Sequence, residues 1–263
     1  MNRTYALANQ KGGVGKTTTA VNLGAYLSTF GLRVLVVDGD PQANATSSLG
    51  IDRRQVSLST YEALLGECAV ADTILPTEWD NLFLVPASAG LAGAEIEIVN
   101  LAEREHLMRR ALDPVKPDYD YLLIDCPPSL SLLTINALTA AQDGVIVPIQ
   151  CEYLALEGLT ELLNTITLVR ERISPQMRIR GMLMTMHDPR TNLSQQVVNE
   201  VKTHFARYVF ETVVPRNVSL GEAPSFGMPI MAYAPRSAGA RAYQNLTLEL
   251  LRTDGWQIPG TDP

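Results

Sequence analysis

Along the chain, short apolar runs of four to six residues alternate with longer stretches whose apolar positions recur at helical spacing. The runs predict strands at Tyr5–Ala8, Val34–Asp38, Leu82–Pro86, Tyr121–Asp125, Val145–Gln150, Gly181–Met186, Val209–Val213 and Ile230–Tyr233. Runs such as Val34-Leu35-Val36-Val37 and Val145-Ile146-Val147 are apolar without a break, where a half-exposed strand would alternate; unbroken strands belong to a mostly parallel sheet buried on both faces. Between them, helical patterns fall at Thr17–Phe30, Leu101–Leu112, Leu130–Ala141, Glu157–Ile173 and Ser194–Ala206. The alternation predicts a doubly wound α/β fold, with helices on both faces of the sheet and ligands at the carboxyl ends of the strands. Asp38 and Asp125 end two of these strands and Gln10 lies just beyond a third, so all three converge on one edge. With no repeat, low-complexity tract or Pro/Ser-rich linker, residues 1–263 are expected to form a single domain, with no separate N-terminal DNA-binding domain.

Composition agrees with that picture. A chain of 263 residues with 46% hydrophobic and 19% charged residues has ample material for one buried core. No apolar run approaches the roughly 20 residues that cross a bilayer, and the start carries no signal-peptide pattern, so a cytoplasmic protein is expected. Cys68, Cys126 and Cys151 are odd in number and lack metal-ligand spacing, which favours reduced thiols over a disulfide framework or zinc. The net charge of −7 speaks against a nucleic-acid partner, but its distribution changes the reading. Residues 1–169 carry a balance of −10 and residues 170–263 one of +3, the latter built almost wholly from arginine. An asymmetry of this kind suits either a solvated surface or an anionic partner on one side.

The chemistry concentrates after the first strand, in Gln10-Lys11-Gly12-Gly13-Val14-Gly15-Lys16-Thr17-Thr18. A glycine-rich loop between a strand and a helix turns backbone N–H groups toward phosphate oxygens, and the helix N-terminus adds its positive end. Gly15-Lys16-Thr17 supplies the second half of the usual phosphate-loop pattern, while Gln10 stands where its first glycine belongs and Lys11-Gly12-Gly13 follows. Lys16 is expected to bridge the β- and γ-phosphates of ATP, and the Thr17 hydroxyl to ligate Mg²⁺. Two carboxylates at a strand end beside phosphates, Asp38 and Asp40, can serve the metal or orient an attacking water. Asp125, after the apolar strand Tyr121–Ile124, has the form of a metal-holding aspartate, and Pro127-Pro128 stiffens the turn that follows.

Lys11-Gly12-Gly13-Val14-Gly15-Lys16-Thr17-Thr18 resembles the deviant Walker A motif of the ParA/MinD group of ATPases. Val37-Asp38-Gly39-Asp40-Pro41-Gln42, Ile124-Asp125-Cys126-Pro127-Pro128-Ser129, Val214-Pro215-Arg216-Asn217-Val218 and Glu222-Ala223-Pro224-Ser225 narrow the resemblance to chromosomal ParA, also called Soj. The matches span residues 9 to about 241 in the family's order. The resemblance implies an ATP- and Mg²⁺-dependent ATPase that pairs face to face as a homodimer, with Lys11 reaching the partner's ATP and Gly12 lying where two backbones meet. It implies that Asp40 positions the water, that Asp125 and Thr17 hold Mg²⁺ with Asp38 as a helper, and that Pro215 and Asn217 contact adenine. Arg190 and Arg216 match positions that bind DNA phosphates, giving sequence-nonspecific binding to double-stranded DNA. A ParB-like centromere-binding partner and a place on the nucleoid, in chromosome or plasmid partition, complete the expectation.

Two rivals share the superfamily. A MinD-like membrane-associated ATPase would end in a basic amphipathic helix, whereas Leu250–Pro263 is acidic and broken by proline. An iron protein would need two cysteines per subunit on loops facing its partner; Cys126 and Cys151 suit ordinary packing better.

Overall fold

The computed structural model describes residues 2–153 and 155–257, with residues 155–157 described in their backbone only. Eight strands, β1 (Arg3–Leu7), β2 (Val34–Asp38), β3 (Leu75–Pro76), β4 (Leu82–Val85), β5 (Tyr121–Asp125), β6 (Gly144–Gln150), β7 (Ile179–His187) and β8 (Val209–Pro215), form one sheet in the order β3-β4-β2-β5-β1-β6-β7-β8. All pairs are parallel except β3 with β4. The helices are α1 (Lys16–Thr29), α2 (Asn44–Ser48), α3 (Thr60–Leu65), α4 (Val70–Thr73), α5 (Leu91–Ile98), α6 (Leu107–Leu112), α7 (Leu132–Ala140), α8 (Ala155–Arg172), α9 (Asn192–Phe205), α10 (Val218–Glu222), α11 (Ile230–Tyr233) and α12 (Ala238–Thr253).

The unbroken apolar strands are explained by where their two faces go. Tyr5 and Leu7, Val34 and Val36, and Tyr121 and Leu123 face a core shared with α1 and α12. Their neighbours Ala6, Leu35, Val37, Leu122 and Ile124 face a second core, shared with α5 to α9. Both faces are dry, so alternation gives way to continuous hydrophobicity. β1 lies between β5 and β6, and chain crossovers run to either side of it, the arrangement that opens a crevice at the strands' carboxyl ends. The register sets Leu7 and Asp38 on either side of Asp125, at one level.

Seven of the eight predicted strands are present. Ile230–Tyr233 is instead the one-turn helix α11: the Tyr233 and Ala234 N–H groups donate to Pro229 and Ile230 carbonyls, and the Ile230 N–H donates to the Asn22 side chain. A four-residue apolar run has no periodicity that separates strand from helix. The predicted helix Leu101–Leu112 is helical only over α6, because Glu103 adopts a left-handed φ of 51° and the chain turns there. The pattern also passes over β3 and the 16-residue α12.

Candidate functional site

The loop between β1 and α1 is held by side chains from four directions. The Asn9 carboxamide donates to the Pro148 carbonyl at 2.7 Å and accepts from the Lys11 N–H at 3.0 Å. The Thr185 hydroxyl, on β7, donates to the Val14 carbonyl at 2.8 Å. From inside α1, Thr19 donates to the Gly15 carbonyl at 2.7 Å and meets the Tyr243 hydroxyl of α12 at 3.1 Å. Gly13 and Gly15 take φ of 74° and 94°, which side chains resist and glycine does not. The loop is thus set before any ligand arrives, with Gly15 capping α1 and the helix N-terminus open to an anion.

Lys16 is 6% exposed, and its ammonium donates to the Lys11 carbonyl at 3.3 Å. Burial pulls its pKa down, and Asp125, Cys126 and Asp40 act against that. The Thr17 hydroxyl donates to Asp125 Oδ2 at 2.6 Å. Asp125 is fully buried; burial raises its pKa well above the usual carboxylate range, with Asp38 adding to the rise and Thr17 and Lys16 opposing it. Asp38, also fully buried, is pushed up to about 6 by burial. A cation bound among these groups reverses the direction for each carboxylate.

Asp40 is 5% exposed and lines one cleft of about 430 Å³ with Gly12, Gly13, Lys16, Thr17 and Pro128. A second cleft of about 340 Å³ shares Gly15, Thr18, Met186 and Leu220 with the first and is walled by Pro215, Asn217 and Tyr243. The structure therefore brings Pro215 and Asn217 beside the phosphate loop although 200 residues separate Gly15 from Pro215 in the sequence. Asp125 Oδ1, Asn217 Oδ1 and Gln10 Oε1 are buried side-chain oxygens without a hydrogen-bond partner. The first sits where a divalent cation would satisfy it. The second belongs to a residue that lines the second cleft.

At the mouth, Lys11 and Arg216 share one carboxylate. Glu152, just after β6, takes Arg216 on Oε1 at 3.0 Å and Lys11 on Oε2 at 3.7 Å. Arg190 pairs in two-pronged fashion with Asp188, at 2.9 and 2.8 Å. The Arg216 N–H donates to the His187 carbonyl, so both arginines stand at the adjoining ends of β7 and β8. Glu152, Asn9, Thr185 and Tyr243 carry no motif that marks them in the sequence. Glu152 lies two residues beyond a predicted strand, and its partners Lys11 and Arg216 are supplied only by the fold. Cys126 and Cys151 are 0% and 2% exposed, packed in the core, and burial pushes the Cys151 thiol up to about 12.

Fold and loop together define a nucleotide-binding α/β protein of the phosphate-loop class. Comparison with known proteins narrows this. A family described as "AAA domain" matches residues 2–179. The sporulation initiation inhibitor protein Soj of Bacillus subtilis is 55% identical over 250 residues, covering 95% of this chain and 98% of that protein. The chromosome partitioning protein ParA of Myxococcus xanthus is 50% identical, covering 98% and 90%. Among solved structures, a Mycobacterium smegmatis protein described as cobyrinic acid a,c-diamide synthase, with bound ADP and magnesium, aligns over the whole of both chains at 39% identity and a TM-score of 0.84. Pyrococcus horikoshii MinD with Mg-ADP aligns over 97% of this chain and 98% of its own at 26% identity and a TM-score of 0.77. The chain belongs to the ParA/Soj family of chromosome-partitioning ATPases.

Proposed function

We propose that this protein is an ATP-driven switch for chromosome or plasmid partition, which pairs as a homodimer when ATP is bound, holds DNA without regard to sequence, and releases it after slow hydrolysis. ATP lies along Lys11–Thr18, with Lys16 neutralising the β- and γ-phosphates. Thr17 and Asp125 would hold Mg²⁺, which would offset the charge of the phosphates. Pro215 and Asn217 receive the adenine. Asp40 orients the water that attacks the γ-phosphate, and a ParB-like centromere-binding protein speeds that step. ADP or ATP analogues with magnesium in related structures support the same ligands here.

One observation carries the switch. Lys11, the second lysine of the phosphate loop, and Arg216, a DNA-phosphate candidate, are counter-ions of the same carboxylate, Glu152. If Lys11 leaves to meet a partner subunit's ATP, Glu152 is left to Arg216 alone and pairs with it more tightly. Glu152 thus links the two sites as a brake on the arginine, and the ATP dependence of DNA binding comes from joining two subunits' basic ends. The membrane reading draws less support: among the described residues no helix is long and apolar enough to cross a bilayer, and the apolar stripe of α12 (Leu246, Leu250, Leu251) is buried in the core. The tail beyond residue 257, whose composition weighs against a membrane helix, lies outside the described residues. The amide synthesis named for the M. smegmatis protein also draws little, since relatives at 50% and 51% identity carry partition names.

The test is fluorescence anisotropy on unrelated DNA duplexes at low salt, with ATP, with ADP and without nucleotide. ATP-dependent binding that ignores sequence is expected; nucleotide-independent binding to one preferred duplex would point to a repressor.

A further inference from the structure

Asp38 is the last residue of β2, directly across from Asp125 in the register, yet its carboxylate is already engaged on both oxygens. Oδ2 accepts from the Thr46 N–H at 2.8 Å and from the Thr46 hydroxyl at 2.7 Å; Oδ1 accepts from the Asp40 N–H at 3.2 Å. Thr46 is itself fully buried, and its hydroxyl oxygen accepts from the Ala87 N–H at 3.0 Å, which ties α2 to the end of β4. The Asp38 carbonyl accepts from the Thr60 hydroxyl at 2.7 Å. The turn that bears Asp40 is closed in the same way: Asp40 Oδ1 accepts from the Gln42 N–H, and its carbonyl from the Ala43 N–H. Ala43 then enters α2 at a left-handed φ of 54°, a conformation that is unfavourable for a non-glycine residue and persists only where neighbours fix it.

We propose that Thr46, acting through Asp38, is the positioning residue that fixes Asp40 in its turn, and that Asp38 is that anchor and not a metal ligand. A carboxylate that accepts three hydrogen bonds from the loop it organises has its orientation set by them. The donors come from both ends of the loop, Asp40 at its start and Thr46 beyond it, so the pair holds the strained Ala43 between them. Asp125 differs: Thr17 is its hydrogen-bond donor, on Oδ2, and Oδ1 is left over. The inference rests on the reading of Asp40 as the residue that orients water.

The experiment uses the full chain and four variants: Thr46→Val, Thr46→Ser, Asp38→Asn and Asp40→Ala. ATP affinity is measured with a fluorescent analogue, turnover as kcat and KM, and the metal by Mg²⁺ titration of turnover. Thr46→Val keeps shape but loses the hydroxyl; it is expected to hold ATP affinity within about 3-fold while kcat falls about 10-fold or more, since a misplacement near 1 Å can cost far more than binding reveals. Thr46→Ser restores kcat to within about 3-fold of the parent, which a change of packing alone would not do. Asp38→Asn leaves the Mg²⁺ concentration for half-maximal turnover within about 3-fold; a rise of about 10-fold or more would make Asp38 a metal ligand and overturn the anchor. Parent-like kcat in Thr46→Val, with turnover lost in Asp40→Ala, would sink this inference alone. Parent-like turnover in Asp40→Ala would remove Asp40 from the reaction and this inference with it. If Thr46→Val does not fold, the kcat of Asp38→Asn carries the test: the anchor expects a fall of about 10-fold or more with ATP affinity within about 3-fold, and parent-like kcat would overturn it.

Discussion

A β-carbon built on Gly12 meets only Pro128, at 3.8 Å, an ordinary contact, and its φ is not left-handed. Among the described residues nothing demands glycine there, so a demand would come from a ligand or a facing subunit. Gly12→Val is expected to bind ATP within about 3-fold of the parent and to stay monomeric on size exclusion with ATP, because a branched side chain fills space a facing subunit needs. An ATP dimer of normal stability would end the sandwich reading. Lys16→Ala is expected to weaken ATP binding about 100-fold or more, since several charge-assisted hydrogen bonds to phosphate disappear together; tight Mg-ATP binding in an isothermal titration would refute the phosphate-loop assignment. Both residues were legible in the sequence, because a phosphate loop is contiguous and its glycines and lysines are spaced by geometry. Glu152 and Thr46 were not, since each acts through partners 64 and 141 or 8 and 41 positions away, and only the fold supplies those.

Element by element, the strands were read well because both faces of the sheet are dry and the runs are short and bounded. The misreadings have local causes: one helical turn at Ile230–Tyr233 has too few residues to show a period, and a left-handed Glu103 stops a helix that the apolar pattern would continue. The helix α12, by contrast, does have a legible pattern. Ala242, Tyr243, Leu246, Leu250 and Leu251 recur at spacings of one, three and four, which keep them on one helix face, and the Ser237 hydroxyl accepts from the Ala240 N–H as an N-cap. This helix closes one face of the sheet over α1, so it is a stability element with its tyrosine at the phosphate loop. Leu250→Ala, at a fully buried position, is expected to cost about 2–5 kcal/mol. In a chain of this size that lowers Tm by roughly 5–20 °C, and differential scanning calorimetry would read it; a Tm unchanged from the parent would mean that α12 does not carry the core.

For the molecule as a whole, an acidic body with arginines at one corner has to gather cations before it can hold a polyanion. If Arg190 and Arg216 of two paired subunits each took one phosphate, about four phosphates would be engaged, and the expected log–log salt slope is near −3.6, a drop in affinity of roughly 150-fold between about 50 and about 200 mM salt. Arg190→Ala or Arg216→Ala is expected to flatten that slope by about two, since each subunit then engages one phosphate instead of two, with dimerisation by ATP near normal; an unchanged slope would place the DNA elsewhere. Glu152→Gln frees both Lys11 and Arg216 and is expected to raise DNA affinity without nucleotide, read in the same anisotropy assay, whereas a fall would mean that Glu152 aligns the arginine for DNA. The hydroxyl pair Thr19–Tyr243 bears on a different matter, the order in which the chain is made. Its two ends lie 224 positions apart, and at about 5–20 residues per second the ribosome takes roughly 10–45 s to pass from one to the other. Throughout that interval the nascent chain has its phosphate loop but lacks the brace against α12. A growing polypeptide therefore emerges into an ATP-rich cell with a lysine-bearing loop that becomes a finished receptor only near the end of synthesis.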